Sequence, residues 1–415
     1  MEKSPLFLDR PLRKAIATAL ADTPVVCLLG PRQCGKSTLV QSMRPDRNYY
    51  DLDDEDFART AVDDPTGFIR ALPLPVTLDE IQRVPELLRS IKVAVDRNRQ
   101  PGAFILTGSA NLLLLPRTSE SLAGRIELLQ LHPLTEAEKE RSPAAFLQNL
   151  IENKITPQIL PTRDTDPFDL ARRITIGGYP EALQRLPQRV SDWHRQYLRT
   201  IMEHDVPDIA QIRNANQLQT LLERLAHQSS SLLNQSALSR DLGLDRETIH
   251  DYLEILERLF LIRRLPAWHR NRGKRLVKSP KVHLLDSGLA ATLMDLRADD
   301  WIQRRSDFGR LLESFVVQQL IAFAGWTDSR LRFFHYRDID KVEVDCVMTR
   351  GEEVWGFEIK ASQTVRASDT KGLKRLADQA GDDFQKGIIF YNGDSTITLG
   401  DDRFLAVPIS KIWEL

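Results

Sequence analysis

The feature that most constrains the fold is the nine-residue segment GPRQCGKST at positions 30–38. It fits the pattern G-x-x-x-x-G-K-[ST] without a mismatch. The apolar run VVCLL precedes it and the helix-compatible segment TLVQSM overlaps its end. A strand, a glycine-rich loop and a helix in this order surround a bound phosphate with backbone N–H groups. We therefore expect a parallel α/β sheet with a phosphate-binding loop.

The residue types of this loop match the needs of a nucleotide triphosphate. Gly30 and Gly35 let the backbone curl around the phosphates. Lys36 supplies a cation for the β- and γ-phosphates, and the Ser37 hydroxyl is a predicted Mg²⁺ ligand. The other loop positions expected to contact the nucleotide are Pro31, Arg32, Gln33, Cys34 and Thr38. The alternative is a chance match in a glycine turn.

The cysteines carry two expectations. Cys34 lies in the loop near a helix N-terminus that favours a thiolate, so bound ATP should protect it from alkylation unless the thiol is buried and inert. The chain has three cysteines, too few and too scattered for a disulfide framework or a zinc cluster. A reducing cytoplasm is the simplest location.

Two further apolar runs end in polar residues that complete the predicted site. In PVTLDEIQ at 75–82, Asp79 is expected to hold Mg²⁺ through water. Glu80 is expected to orient or deprotonate the attacking water. In AFILTGSAN at 103–111, Thr107 or Ser109 is a candidate contact for the γ-phosphate or the water, with plain turn chemistry as the alternative.

Composition excludes several classes of protein. Among 415 residues, 57 Lys and Arg balance 58 Asp and Glu, so a histone-like polycation is excluded. No apolar run approaches the roughly 20 residues that a membrane helix needs. The first residues, MEKSPLFLDR, lack the features of a secretory signal. We expect a cytoplasmic protein without a membrane partner.

The middle of the chain predicts a winged helix-turn-helix. Asn234 is a predicted N-cap, Gly243 a predicted helix end, and Asp245 opens the next helix. Helices are predicted at 217–228, 234–243 and from 245, with strands at 259–268 and 275–286. Three helices followed by a two-stranded ribbon are typical of that motif.

A basic strip falls on the predicted wing. Between Arg258 and Lys281 there are nine Lys or Arg residues and no acidic residue. Basic residues on a wing can bind nucleic-acid phosphates. The candidate nucleic-acid contacts are Arg270, Arg272, Lys274 and Arg275. The alternative is a solvated hairpin or a protein interface.

A second set of charged residues falls on two predicted strands near the C-terminus. Alternation in VEVDCVM puts Glu343 and Asp345 on one face, and alternation in WGFEIKA does the same for Glu358 and Lys360. Glu313, on a preceding helix, is the predicted fourth member of the set. The alternative is an edge strand with solvated charges.

The order of these motifs resembles that of a known group. The chain looks like the AAA+ ATPase-type proteins of bacteria and archaea that carry a C-terminal domain of unknown function. The segments that carry the resemblance are GPRQCGKST, TLDEIQ, ILTGSAN, SLAGR, GGYPEA, KSPKVHLLDSGLA, LLESFV, VEVDCVM and FEIKAS. The resemblance implies a P-loop ATPase domain, a winged helix and a restriction-endonuclease-like α/β domain.

The resemblance also implies roles for the C-terminal set. In restriction-endonuclease-like proteins, which have a similar D…E-x-K pattern, Asp345 and Glu358 would hold Mg²⁺. Lys360 would stabilise the attacking hydroxide or the phosphate charge. Such folds also serve as binding modules. Arg125 in SLAGR is a candidate arginine finger or sensor, with a structural ion pair as the alternative.

These expectations form one hypothesis and one alternative. The hypothesis is a Mg²⁺-dependent, ATP-binding ATPase with a nuclease-like domain that acts on DNA. The alternative is a nucleotide-switched regulatory or interaction protein with an inactive nuclease-like domain. Expected domains are 1–210, 211–290 and 291–415. Candidate partners are DNA, another protein or a second copy of the chain.

Overall fold

The computed structural model describes residues 8–43, 47–110, 124–160, 166, 168–209, 214–270 and 279–415. These fall into two compact units. The first comprises Met1–Pro133 and Glu257–Phe260, and the second comprises Leu134–Leu256 and Leu261–Leu415. The predicted boundary at residue 210 therefore lies inside the second unit.

The first unit is built on a five-stranded parallel sheet with strand order β2-β3-β4-β1-β5. The strands are β1 Val25–Leu29, β2 Asn48–Asp51, β3 Val76–Asp79, β4 Phe104–Gly108 and β5 Ile126–Gln130. Its helices are α1 Leu12–Leu20, α2 Lys36–Gln41, α3 Glu55–Asp63, α4 Pro65–Ala71 and α5 Leu87–Arg97. A short 3₁₀ turn, Ile81–Arg83, follows β3.

The four strands predicted in this unit are confirmed. Every residue of β1, β3 and β4 is buried, which explains their continuous apolar sequences. The sequence did not indicate β5, whose residues are exposed or half-buried. Glu127 interrupts its apolar run, as is common in an edge strand.

The strand order brings the predicted nucleotide motifs to one edge of the sheet. β4 lies between β1 and β3, with Leu29 paired to Gly108 and Leu78 paired to Leu106. All three strands are parallel, so their carboxyl ends lie side by side. Ligands of open α/β sheets bind at this edge.

The second unit begins with helices. They are α6 Glu136–Glu140, α7 Phe146–Ile151, α8 Asp169–Ile176, α9 Pro180–Leu183, α10 Val190–Thr200 and α11 Val206–Ile209, with a π-helical turn at Ile201–Asp205. The predicted strand run ITIGGYP is wrong, because ITI forms the last turn of α8 and the helix stops at Gly177. Gly177 has φ 72°, a left-handed conformation that suits glycine.

The central helices and hairpin follow the predicted order. They are α12 Ala215–His227, α13 Gln235–Leu242 and α14 Arg246–Arg258, then β7 Ile262–Leu265 and β8 Lys281–Leu284. The Asn234 side chain accepts from the Ala237 N–H at 3.0 Å, and Gly243 ends α13 with φ 64°. β8 is the middle strand of a three-stranded antiparallel sheet, between β7 and the short strand β6, Ser231–Leu232.

The C-terminal part of the second unit contains a six-stranded mixed sheet with strand order β13-β14-β12-β11-β10-β9. Its strands are β9 Leu331–Arg337, β10 Glu343–Arg350, β11 Glu353–Lys360, β12 Phe384–Tyr391, β13 Ile397–Leu399 and β14 Asp401–Pro408. The helices are α15 Ser287–Leu293, α16 Arg305–Thr327, α17 Lys371–Ala380 and α18 Lys411–Glu414. The sequence contains no signal for the short strand β13. The strands that the sequence predicts in this sheet are confirmed.

Two features of this unit position its charged residues. Helix α16 is buried on more than one side, because the consecutive residues Leu311 and Leu312 are both fully buried. Strand β10 has a register shift against β9 between Val344 and Val347, which interrupts the alternation beside Asp345. No helix in the described part of the chain is long and apolar enough to span a membrane.

Candidate functional site

The phosphate loop holds its lysine in a buried position. Lys36 is 4% exposed, and its Nζ donates to the carbonyl oxygens of Gly30 and Pro31, each at 3.1 Å. Among the described residues, no carboxylate lies within ion-pair distance of this ammonium group. A buried cation without a counter-charge is unfavourable, so the loop is suited to an anionic ligand.

The loop backbone explains its two glycines. A Cβ at position 30 would lie 2.2 Å from the carbonyl oxygen of Leu131, so only glycine fits there. Gly35 has φ 101° at the residue that precedes α2, a conformation that L side chains rarely adopt. The N-terminal residues of α2 are Lys36, Ser37 and Thr38, which places all three beside the loop.

Arg10 supports the loop from outside the motif. Its guanidinium is buried and donates to the carbonyl oxygen of Cys34 at 2.9 Å and to that of His132 at 2.6 Å. These contacts tie the loop to the segment that follows β5. The sequence reasoning missed Arg10, because an isolated arginine before a helix carries no recognisable pattern.

Asp79 is fixed by two hydroxyl donors. It is 1% exposed, Tyr49 donates to Oδ2, and the fully buried Thr107 donates to Oδ1. Both carboxylate oxygens therefore have protein partners. A carboxylate whose two oxygens already have partners is suited to act on a metal through water, and the role predicted for Asp79 stays a prediction.

Glu80 is held beside Asp79 by its own network. Its N–H donates to Thr107 Oγ1 at 3.1 Å, and its backbone is left-handed with φ 55°, which is uncommon for a residue with a side chain. Gln82 Nε2 donates to Glu80 Oε2 and, at 2.9 Å, to Ser109 Oγ. Thr107 thus contacts Asp79 directly, whereas Ser109 contacts Gln82, which in turn donates to Glu80. Gln82 was missed as a site residue, although it stands two positions after Glu80 in TLDEIQ.

The environment of the Cys34 thiol differs from the one that the sequence predicts. Its thiol is fully buried and lies 3.6 Å from the carbonyl oxygen of Leu131. Burial raises the pKa of this thiol, although Lys36 and Arg10 act in the opposite direction. The expectation of a reactive thiolate is wrong, because desolvation outweighs the nearby positive charges.

The structure does not bring Arg125 to the phosphate loop. Its carbonyl oxygen accepts from the N–H of Val25 at the start of β1, whereas the loop follows the end of that strand. The guanidinium pairs with Asp96 at 2.5 Å. Within one chain this is the structural ion pair that was the alternative to a sensor.

The structure brings the predicted C-terminal residues together and adds a lysine to them. Lys281 Nζ lies 2.8 Å from Glu313 Oε1 and 3.5 Å from Asp345 Oδ1. Asp345 Oδ2 accepts from the Ile359 N–H at 2.9 Å. Lys281 was predicted only as part of the basic strip, and that placement is wrong because its side chain is 4% exposed.

Glu358 and Lys360 complete this group, which we call the carboxylate cluster: Lys281, Glu313, Asp345, Glu358 and Lys360. Lys360 Nζ lies 3.4 Å from Glu358 Oε2. Burial raises the pKa of Glu313 to about 8 and that of Glu358 well above its ordinary value, and Asp345 raises both further. Burial alone would lower the pKa of Lys281, but Glu313 and Asp345 reverse that effect.

The cluster as arranged does not fit a divalent metal ion. The Lys281 ammonium already lies between the carboxylates of Glu313 and Asp345, and a second cation there would be repelled. Within the part of the chain that the structure describes, no three or more His, Cys, Asp or Glu side chains are arranged to hold a metal ion.

The basic strip is only partly within the described residues. Arg272, Lys274 and Arg275 lie outside them. Arg270 is largely exposed, and its guanidinium lies 3.9 Å from Asp383 Oδ2. It also donates a long bond of 3.5 Å to the carbonyl oxygen of Gln379.

Three family models match the chain. Residues 22–139 match the AAA domain model, which includes the whole phosphate loop and Asp79–Glu80. Residues 167–300 match "Domain of unknown function (DUF8612)" and residues 308–412 match "Domain of unknown function (DUF4143)".

Similar structures include the Walker-type ATPase PABY2304 of Pyrococcus abyssi, with 16% identity and a TM-score of 0.44 over 69% of this chain and 96% of that one. The RuvB Holliday junction branch migration motor of Thermotoga maritima has 21% identity and a TM-score of 0.28 over 63% of this chain and 91% of that one.

Similar sequences extend over nearly the whole chain. "Uncharacterized protein Rv2008c" of Mycobacterium tuberculosis and "Uncharacterized protein Mb2031c" of Mycobacterium bovis are each 30% identical, over 95% of this chain and 82% of theirs. An uncharacterized protein of Haemophilus influenzae is 21% identical over 84% of this chain and 85% of its own. The chain belongs to the same family as the two mycobacterial proteins, and its residues 22–139 identify it as a P-loop AAA-type ATPase.

Proposed function

We propose that the first unit binds and hydrolyses ATP. The observation that carries this proposal is Lys36, a buried ammonium group in a glycine-rich loop whose contacts are two carbonyl oxygens of that loop. A triphosphate would supply the missing negative charge. The AAA domain match over residues 22–139 supports the same conclusion.

The residues around the loop have separate roles in this reaction. Lys36 and the loop N–H groups bind the β- and γ-phosphates. Glu80, held by Gln82, orients the attacking water and takes up its proton. Mg²⁺, held by Ser37 and through water by Asp79, would neutralise charge on the phosphate oxygens.

We further propose a winged helix-turn-helix and a restriction-endonuclease-like module within the second unit. Support for the first is the order of α12, α13, α14 and the β7–β8 hairpin. Support for the second is the meeting of Glu313, Asp345, Glu358 and Lys360 on one helix and two adjacent strands. Because the cluster does not fit a metal ion, we propose that this module is in an inactive state that does not cut DNA.

A pair of assays tests the two parts of this proposal. Nucleotide binding is measured by calorimetry on the full chain and on Lys36→Ala, and we expect binding to be lost in the variant. Plasmid and linear DNA are incubated with the wild-type chain and Mg²⁺, and we expect no strand breaks on a gel. Unchanged nucleotide affinity in Lys36→Ala would contradict the first part, and cleaved DNA would contradict the second.

A further inference from the structure

The carboxylate cluster contains a cation that belongs to the chain itself. Lys281 Nζ is 2.8 Å from Glu313 and 3.5 Å from Asp345, in a position where both carboxylates can neutralise it. The side chains of both acids are more than four-fifths buried. An ammonium group at these distances stabilises the charged form of both acids, and removing one partner of a buried ion pair leaves the other charge uncompensated.

The backbone of Lys281 is fixed by the sheet. β8 is the middle strand, and Lys281 pairs with Leu232 on one side and with Leu265 on the other. The next residue but one, His283, is fully buried and its Nδ1 lies 2.8 Å from Ser314 Oγ on the helix that carries Glu313. The sheet therefore holds the backbone of Lys281 beside the cluster.

The other side of the cluster is also occupied. One carboxylate oxygen of Asp345 accepts a hydrogen bond from the Ile359 N–H. This contact joins β10 to β11 next to the pair formed by Cys346 and Phe357. A Cβ at Gly372, in α17, would lie only 2.7 Å from Glu358 Oε1. Helix α17 thus packs directly against the Glu358 carboxylate.

We propose that Lys281 is the resident cation of the carboxylate cluster and that it excludes divalent metal ions from it. Its ammonium provides the positive charge that Mg²⁺ would provide in a metal-dependent nuclease-like site. The inactive state of the module is then an autoinhibitory contact between β8 and the Glu313–Asp345 pair. Displacement of the Lys281 ammonium is the change that would open the cluster to a metal ion.

The test is a calorimetric titration of Mn²⁺ into the full chain without nucleotide. Lys281→Gln removes the charge and keeps much of the side-chain length, whereas Lys281→Arg keeps the charge. We expect Lys281→Gln to gain a Mn²⁺ site that is at least roughly tenfold tighter than any in the wild type. The double variant Lys281→Gln with Asp345→Asn should lose this site, and Lys281→Arg should not gain it.

Two results with folded chains would overturn the proposal, and a refolding experiment covers a variant that does not fold. One is a wild-type Mn²⁺ site that Asp345→Asn removes, because the lysine would then not exclude the metal. The other is a folded Lys281→Gln chain that gains no Mn²⁺ binding. If Lys281→Gln does not fold in metal-free buffer, it is refolded with Mn²⁺ and, as a control, with an equal ionic strength of Na⁺. Recovery of the helical circular dichroism with Mn²⁺ alone supports the proposal, and no recovery contradicts it.

This inference rests on the proposed nuclease-like architecture of the second unit. The proposed inactive state and the proposed role of Lys281 are tested by different experiments, so either can be refuted without the other. Cleavage of DNA by the wild-type chain would refute the proposed inactive state, whereas the Mn²⁺ titration decides the role of Lys281 without reference to DNA or ATP.

Discussion

The guanidinium of Arg10 donates to the carbonyl oxygen of Cys34 at 2.9 Å, a contact between residues 24 positions apart. It fixes the middle of the phosphate loop from the segment that precedes α1. Arg10 also donates to the carbonyl oxygen of His132 at 2.6 Å. Its guanidinium therefore connects the phosphate loop with the segment that follows β5. The shape of the loop thus depends on a residue outside its sequence motif.

Replacing Arg10 should therefore weaken both stability and nucleotide binding. Arg10→Ala removes the guanidinium that donates to the buried carbonyl oxygens of Cys34 and His132, and we expect a loss of about 1.5–3 kcal/mol in the free energy of unfolding. The measurement is urea unfolding followed by circular dichroism, together with nucleotide calorimetry. Arg10→Lys is the matched control, because its ammonium can satisfy only part of this geometry and should give an intermediate result. A chain as stable as the wild type after Arg10→Ala would refute the supporting role.

Gln82 should affect the rate of hydrolysis more than nucleotide affinity. Its amide donates to Glu80 and to Ser109 and has no predicted contact with the phosphates. We expect Gln82→Ala to lower kcat by about tenfold or more, with KM nearly unchanged, because the carboxylate would lose its orientation. Steady-state kinetics measure this split. A rise in KM at constant kcat would instead indicate that Gln82 contributes to nucleotide binding.

The thiol of Cys34 should be inert in the folded chain. It is fully buried, and burial raises its pKa. We expect slow alkylation at neutral pH, with the same rate in the presence and absence of ATP. Labelling is followed by mass spectrometry, and a urea-unfolded sample serves as the reactive control. Rapid labelling that ATP suppresses would show that the thiol is accessible from the nucleotide site.

The basic strip is the part of the sequence that predicts a contact with DNA. Neutralising Arg270, Arg272, Lys274 and Arg275 together should weaken DNA binding. Each lost phosphate contact should reduce the slope of log affinity against log salt by about 0.9. Fluorescence anisotropy with a labelled duplex over a range of salt concentrations measures this slope. An unchanged slope would exclude these residues from the DNA interface.

The sequence predicted most of the first unit because its signals are local. Apolar runs that end in a glycine or an acidic residue correctly located β1 to β4. Strand β5 was not predicted because its residues are exposed or half-buried and include Glu127. The helices capped by Asn234 and Asp245 were also predictable, since a cap depends on residues only a few positions apart.

The parts that escaped prediction depend on contacts between distant residues. Arg10 acts on a loop 24 residues away, and Lys281 meets Glu313 and Asp345 from a different sheet. Lys281 stands beside apolar neighbours in KVHLL, but a single lysine in such a run gives no indication of its partner. Burial also reversed the expectation for Cys34, because desolvation depends on the surrounding fold rather than on the local sequence.

The most direct test of the account is a single-turnover measurement of ATP hydrolysis with Mg²⁺ for the wild type and Glu80→Gln. In Glu80→Gln an amide nitrogen replaces one carboxylate oxygen and the shape of the side chain is kept. The two chains should therefore bind ATP with similar affinity. The account predicts phosphate release by the wild type and a rate at least roughly a hundredfold lower for Glu80→Gln. Equal rates of hydrolysis in the two chains, or no hydrolysis by a wild-type chain that binds ATP, would contradict it.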